Sequence, residues 1–255
     1  MPFQTPAGRI IATGLLAAAT AGGAYAFNVR SRIEGANAGP ITCRGGISDA
    51  FKFSKTVHEL ANPRRHQSAA DSYSITLDIP PQHRQVSDQV LLARFVRGFF
   101  GGYVLGPERV ALQTLGRTLV NFSLEAPPQK TIWSLGDLSE TQLPPLHSLV
   151  FGAFQTLEVK LPGTDDREAD VTQSHVDFGF GNEGSGFAGA HRFSIIRPKK
   201  DDSGVQRVEI RFESMACNPS VDKLFAPRIF YWFHVAYAQL LFREAVSHVC
   251  QGLQH

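Results

Sequence analysis

Cysteine is scarce in this chain of 255 residues: Cys43, Cys217 and Cys250 are odd in number, far apart and without a C-x-x-C spacing. A disulfide framework and a thiolate zinc site are both disfavoured, which leaves buried or free thiols. Common catalytic signatures are missing too, since there is no H-E-x-x-H of a zinc peptidase, no G-x-S-x-G hydrolase elbow and no redox dithiol. Charge of one sign is equally short. A formal net charge of +2, with Lys and Arg scattered along the chain, gives no basic stripe and argues against a nucleic-acid partner. None of these patterns calls for a metal or a cofactor.

What is present is an ordinary globular composition, 43% hydrophobic and 19% charged, preceded by one unusual segment. Ile10 to Val29 carries no charge over about the length a bilayer needs, and Arg9, Arg30 and Arg32 flank it. Three addresses fit: a single-pass N-terminal membrane anchor, a secretory signal cut after Ala24-Tyr25-Ala26, and an acid-free mitochondrial leader. The length of the run favours the anchor. Residues 1–34 are therefore set apart as an anchor or targeting segment, 35–48 as a Gly- and Ala-rich linker and 49–255 as one folded domain.

Within that domain the hydrophobic period changes repeatedly. Asp49 to Leu60 fits a short helix, although Phe51 and Phe53 alternate as in a strand, and both remain open. Tyr73, Ile75, Leu77 and Ile79 alternate with polar residues, which predicts a strand with one buried face. Ser87 or Asp88 then caps a helical run with apolar residues at 91, 92, 95, 96 and 99, and Pro107 opens a second short helix. Strands follow at Val120 to Leu124, Leu149 to Val159, Val176 to Phe180, His191 to Ile195 and Val205 to Cys217, with a short one near Ile132 and Trp133. In the last of these Val208, Ile210 and Phe212 oppose Arg207, Glu209, Arg211 and Glu213, so the apolar row should face the terminal helix and the charged row solvent. That helix runs from about Ala226 to Cys250, with Pro227 at its start and Gly252 past its end. At 100° per residue Phe230, His234, Tyr237 and Leu241 share its inward side.

The order of strand, two helices, a run of strands and one long helix predicts an α+β fold. It resembles the helix-grip fold of the START and Bet v 1-like superfamily from about Tyr73 onward, in which a curved antiparallel sheet wraps a C-terminal helix. The stretches FGFGNEGSGFAGAHRFSI and VEIRFESMACNPSVDKLFAPRIFYWFHVAYAQLLFREAV, within Phe178 to Ala245, also resemble the C-terminal half of the domain-of-unknown-function 1990 family. The first resemblance implies an apolar cavity between sheet and helix. The second implies no activity.

Gly179 to Gly184 matches G-x-G-x-x-G after a strand, but a strand pattern follows where a dinucleotide site needs a helix, so the glycines predict a hairpin. His175 and Asp177 share the face opposite Val176 and Phe178, which suggests an outer, solvated pair. His191 and His234 fall on inward faces, where each is either a satisfied core histidine or a group that orients a ligand or moves a proton. Tyr237 lies one turn from His234. The expected ligand-binding set is His191, His234, Tyr237, Phe230, Leu241 and Phe193, around a lipophilic small molecule in a membrane-tethered domain. The rival expectation is an enzyme of small-molecule biosynthesis on the same fold, a cyclase, hydrolase or isomerase using a cavity histidine. Asn121-Phe122-Ser123 is a glycosylation sequon that would report a secretory address.

Overall fold

Alternating apolar and polar residues lay down one sheet. The computed structural model describes residues 6–36, 41–122, 130–162, 171–182, 184, 186–198, 205–224 and 228–254, with backbone alone described for 6–19 and 228–232. Its strands are β1 (Thr42–Gly45), β2 (Ser68–Ile79), β3 (Thr131–Ile132), β4 (Leu149–Val150), β5 (Phe154–Lys160), β6 (Val171–Gly181), β7 (Ala188–Pro198) and β8 (Gln206–Cys217). They lie side by side in the order β1-β2-β8-β7-β6-β5-β4-β3. Neighbours are antiparallel except β3 and β4, which pair parallel, so the sheet is mixed rather than purely antiparallel. The strand expected over Leu149 to Val159 breaks in two because Phe151 and Gly152 both take positive φ, 50° and 66°, and reverse the chain. Around Val120 only an isolated bridge from Asn121 to Asn182 forms, while Leu124 and the sequon residue Ser123 lie outside the described residues.

One sheet face carries Tyr73, Ile75 and Ile79 of β2, Val176 and Phe178 of β6, Phe193 and Ile195 of β7, and Val208, Ile210 and Phe212 of β8, all buried. Two helices cover it, α3 (Asp88–Gly101) and α5 (Arg228–Gly252). Ser87 caps α3 by accepting the Val90 N–H at 3.3 Å. From α3, Phe95 and Phe99 lie 5.0 and 4.8 Å from Phe193, and Phe100 lies 5.0 Å from Phe178, ring centre to ring centre. Helix α5 packs beside α3, with Phe242 against Phe95 at 5.9 Å and Tyr73 at 6.0 Å. The expectation that the terminal helix alone faces the apolar row of β8 is thereby corrected, because Phe99 of α3 also reaches that row, 5.2 Å from Phe212. A close approach allows both helices to share one face: a side chain at Gly98 of α3 would collide with Ala245 and His248 of α5. The buried side of α5 is Ala238, Leu241, Phe242, Ala245, Val246 and Val249, turned from the expected side but keeping Leu241.

The opposite face is also covered. The helical turn α2 (Asp49–Lys52) and a π-helical turn over Thr56–Ala61 settle the open Asp49 to Leu60 segment as helical. Their Phe51, Val57 and Ala61 pack on Leu149, Leu157, Ala190, Met215 and Cys217. The charged row of β8 is consequently not all solvated. Glu213 is fully buried and accepts the Ser48 N–H at 2.5 Å, whereas Arg211 and Glu209 pair with each other nearer solvent at 2.7 Å. The expected linker is likewise part of the fold, since β1 pairs with β2 from Thr42 opposite Ser74 to Gly45 opposite Asp71.

Helix α1 (Pro6–Glu34) ends against the domain. The Tyr25 hydroxyl donates to the Tyr103 carbonyl, Arg32 reaches Gln251 at 3.3 Å, and Ala36 is buried. Among the described residues no helix is long and apolar enough to cross a membrane, so the transmembrane-like character expected of Ile10 to Val29 is without support. About half of that run falls on residues 6–19, whose side chains lie outside the described residues.

Candidate functional site

A cavity of about 500 Å³ opens at one end of the sheet. Its inner wall is Phe99, Phe180, His191 and Phe212, its floor includes Leu105 and Phe154, and α5 closes it with His234, Tyr237, Ala238 and Leu241. The polar groups among the described lining residues are few: Glu108, Asn182, His191, His234 and Tyr237. An apolar concavity with a handful of convergent polar groups is the general form of a small-molecule site.

Local sequence explains how each wall is held. Residues on β7 alternate, so His191 points with Phe193 and Ile195 to the helix-covered face while Arg192 points to the other. The β6–β7 hairpin brings Gly181, Asn182 and Phe187 to the mouth; Gly181 has φ +76°, and a side chain there would run into the Phe187 carbonyl. A strand, not a helix, follows these glycines, which removes the dinucleotide possibility. Helix α4 (Gly106–Leu115) contributes Glu108, and Leu105, the residue just before it, lines the cavity as well. The turn before it is pinned by the buried Glu244 carboxylate of α5, which accepts the backbone N–H groups of Tyr103 and Val104 at 2.7 and 2.8 Å.

His191 is the unusual group. Its ring centre lies 4.6 Å from Phe180, 5.2 Å from Phe212, 5.8 Å from Phe99 and 6.0 Å from Phe154. Its Nδ1 is buried and has no hydrogen-bond partner. Burial, with a smaller contribution from nearby His234, pushes its pKa down to about 3, so the ring is neutral at ordinary pH. At the rim the Tyr237 hydroxyl donates to Glu108 Oε2 at 2.9 Å, and burial together with that carboxylate pushes the phenol pKa upward. His234 Nε2 sits 3.6 Å from Asp71 Oδ2, an oxygen that also accepts the Tyr73 hydroxyl at 3.0 Å.

Of the six residues expected to bind a ligand, the fold brings His191, His234, Tyr237 and Leu241 to this one cavity. Phe193 is corrected: fully buried under Phe95 and Phe99, it belongs to the packing behind His191 and does not line the space. The Phe230 side chain lies outside the described residues. Sequence patterning missed Phe99, Phe180, Phe212, Leu105 and Glu108 as lining residues. The first three were legible as inward-facing; Glu108 carried no signal, because its meeting with Tyr237 joins residues 129 positions apart.

On the outer face Glu158, His175 and Asp177 place one ligand-type atom each within 4.8 Å of one another, close enough in principle to hold a metal ion. The guanidinium of Arg192 already occupies that position. It donates to both oxygens of Asp177 at 2.7 Å and to Glu158 at 3.2 Å, and it lies over the Phe51 ring at 4.7 Å. Burial pushes the Asp177 carboxyl upward against the pull of Arg192, whereas His175, 3.6 Å away, holds the Glu158 carboxyl below its usual range despite partial burial. The expected solvated pair is thus corrected: His175 and Asp177 do face outward from the core, but α2 and the π-helical turn bury them.

Compared with known proteins, the chain matches no family model, no curated protein and no solved structure.

Proposed function

We propose that this protein binds a lipophilic small molecule in the cavity between the sheet and α5, as a helix-grip domain held near a membrane by its N-terminal segment. The observation that carries the proposal is the cavity itself: about 500 Å³, walled by Phe99, Phe154, Phe180 and Phe212, and lined by few polar groups. Large apolar side chains are also exposed around the opening, with Leu119 and Phe187 on the lining and Phe233 stacked on Tyr237 at 6.1 Å. Such a rim suits the passage of an apolar molecule. The tether rests on the uncharged run from Ile10 to Val29 flanked by Arg9, Arg30 and Arg32.

One observation favours an enzyme on the same frame: His234 stands at the cavity edge beside the buried carboxylate of Asp71, a pairing that can orient an acid-base imidazole. His191 is the weaker candidate for that role, since a ring with a pKa of about 3 is a poor base at neutral pH. The full-length protein, purified in mild detergent and examined by native mass spectrometry after incubation with a lipid extract, separates these outcomes. Binding predicts a retained lipophile of unchanged mass; a changed mass that reverts in Asp71→Asn supports the enzyme; no retained mass overturns both. Release of the full chain from membranes by carbonate would remove the spanning tether.

A further inference from the structure

We propose that the ligand is an uncharged lipophile bearing a hydroxyl group, which bonds His191 at the inner wall, and that the cavity rejects carboxylates such as fatty acids. This deepens the lipophile-binding proposal and rests on it.

Charge around the cavity makes the first case. Among the described lining residues there is no Lys or Arg. A carboxylate carried inside would lose its water without gaining a counter-charge, and Glu108 would repel it. His234 offers little relief, because any positive charge on it already faces Asp71 at 3.6 Å. An ammonium group carried inside would likewise lose its water, and the one acid among the described lining residues, Glu108, is already engaged by the Tyr237 hydroxyl.

The second case is the orphaned nitrogen. His191 is more than nine-tenths buried, lines the cavity, and leaves Nδ1 without a partner. An unmet buried polar atom is costly, so a ligand group that answers it gains what a plain hydrocarbon cannot. A hydroxyl both donates and accepts, and therefore serves either tautomer of a neutral imidazole. Half a turn about the Cβ–Cγ bond exchanges Nδ1 with Cδ2, so the ring can present a nitrogen to the cavity without moving β7. With an imidazole pKa near 3 the ring stays neutral across the range in which such a ligand would be met.

The test uses the full chain in mild detergent and the uncharged fluorescent probe N-phenyl-1-naphthylamine, displaced at neutral pH by 1-decanol, decanoic acid or decylamine. The alcohol should displace the probe at a concentration about tenfold below that of the acid or the amine, a difference of about 1.4 kcal/mol. Replacing His191→Leu should cut the preference for alcohol over acid severalfold, and Glu108→Gln should improve the acid; the second variant keeps the test decisive if the first does not fold. Displacement by decanoic acid or decylamine at or below the concentration needed for decanol overturns this proposal while leaving lipophile binding intact. A probe that never binds overturns both. An unchanged preference in His191→Leu shows that the hydroxyl is not read by His191.

Discussion

His175 and His191 sit on neighbouring strands of one hairpin, on opposite faces, and are almost equally buried, 7% and 9% exposed. Their surroundings differ completely. His175 lies in a polar layer with Glu158, Asp177 and Arg192, where acids and guanidinium satisfy one another. His191 lies among phenylalanines beside an open cavity, with a nitrogen left unmet. Burial alone therefore does not separate a structural histidine from a ligand-facing one. The separation comes from what each ring touches: both leave one buried nitrogen unbonded, but His175 Nε2 stands 3.6 Å from the Glu158 carboxylate, whereas His191 Nδ1 lies among aromatic rings that offer it neither donor nor acceptor.

The outer face should break most severely. Arg192→Met leaves Asp177 buried without its counter-charge, and a loss of about 3–5 kcal/mol is expected in urea unfolding. Adding Asp177→Asn should recover part of it. A loss below about 1 kcal/mol for the single variant would show that the network does not hold the outer layer.

On the inner face the expected effect is smaller and depends on pH. The folded-state pKa of His191 is lowered to about 3, so below the ordinary histidine value of about 6.5 the unfolded chain takes up a proton that the folded chain refuses. Stability attributable to His191 is complete above that value and falls as the pH drops, by about 2 kcal/mol from pH 7 to pH 5. His191→Leu should flatten that part of the profile. Parallel urea midpoints for the two proteins across this interval would remove the assignment of His191 as a buried neutral ring.

His234→Leu should be the mildest. Its side chain is 34% exposed and 3.6 Å from Asp71, so a change of about 0.2–1 kcal/mol is expected, well below that of Arg192→Met. A loss as large as that of Arg192→Met would move His234 from the cavity rim into the structural class.

Much of the site was legible because strands and helices present faces at fixed periods. Alternation put His191 inward, and helical spacing brought His234, Tyr237 and Leu241 to one side of α5, the residues that now share the cavity. The same periodicity misjudged Phe193, because a period says which way a side chain points and not whether space or another ring lies beyond it. Phe95 and Phe99 fill that position.

The sequence by itself determined the α+β character, the existence of the helices α3 and α5 and the inward rows of β2, β6, β7 and β8, since each depends on local period and capping. Tertiary structure alone decided what covers those rows. It set α3 as well as α5 on the inner face, laid Phe51 and the π-helical turn over the outer one, and drew β1 out of an apparent linker. It also made solvated-looking charges into buried ones at Asp177 and Glu213, and paired Tyr237 with Glu108. All of these join segments distant along the chain, and their energy comes from packing and desolvation that no local pattern records.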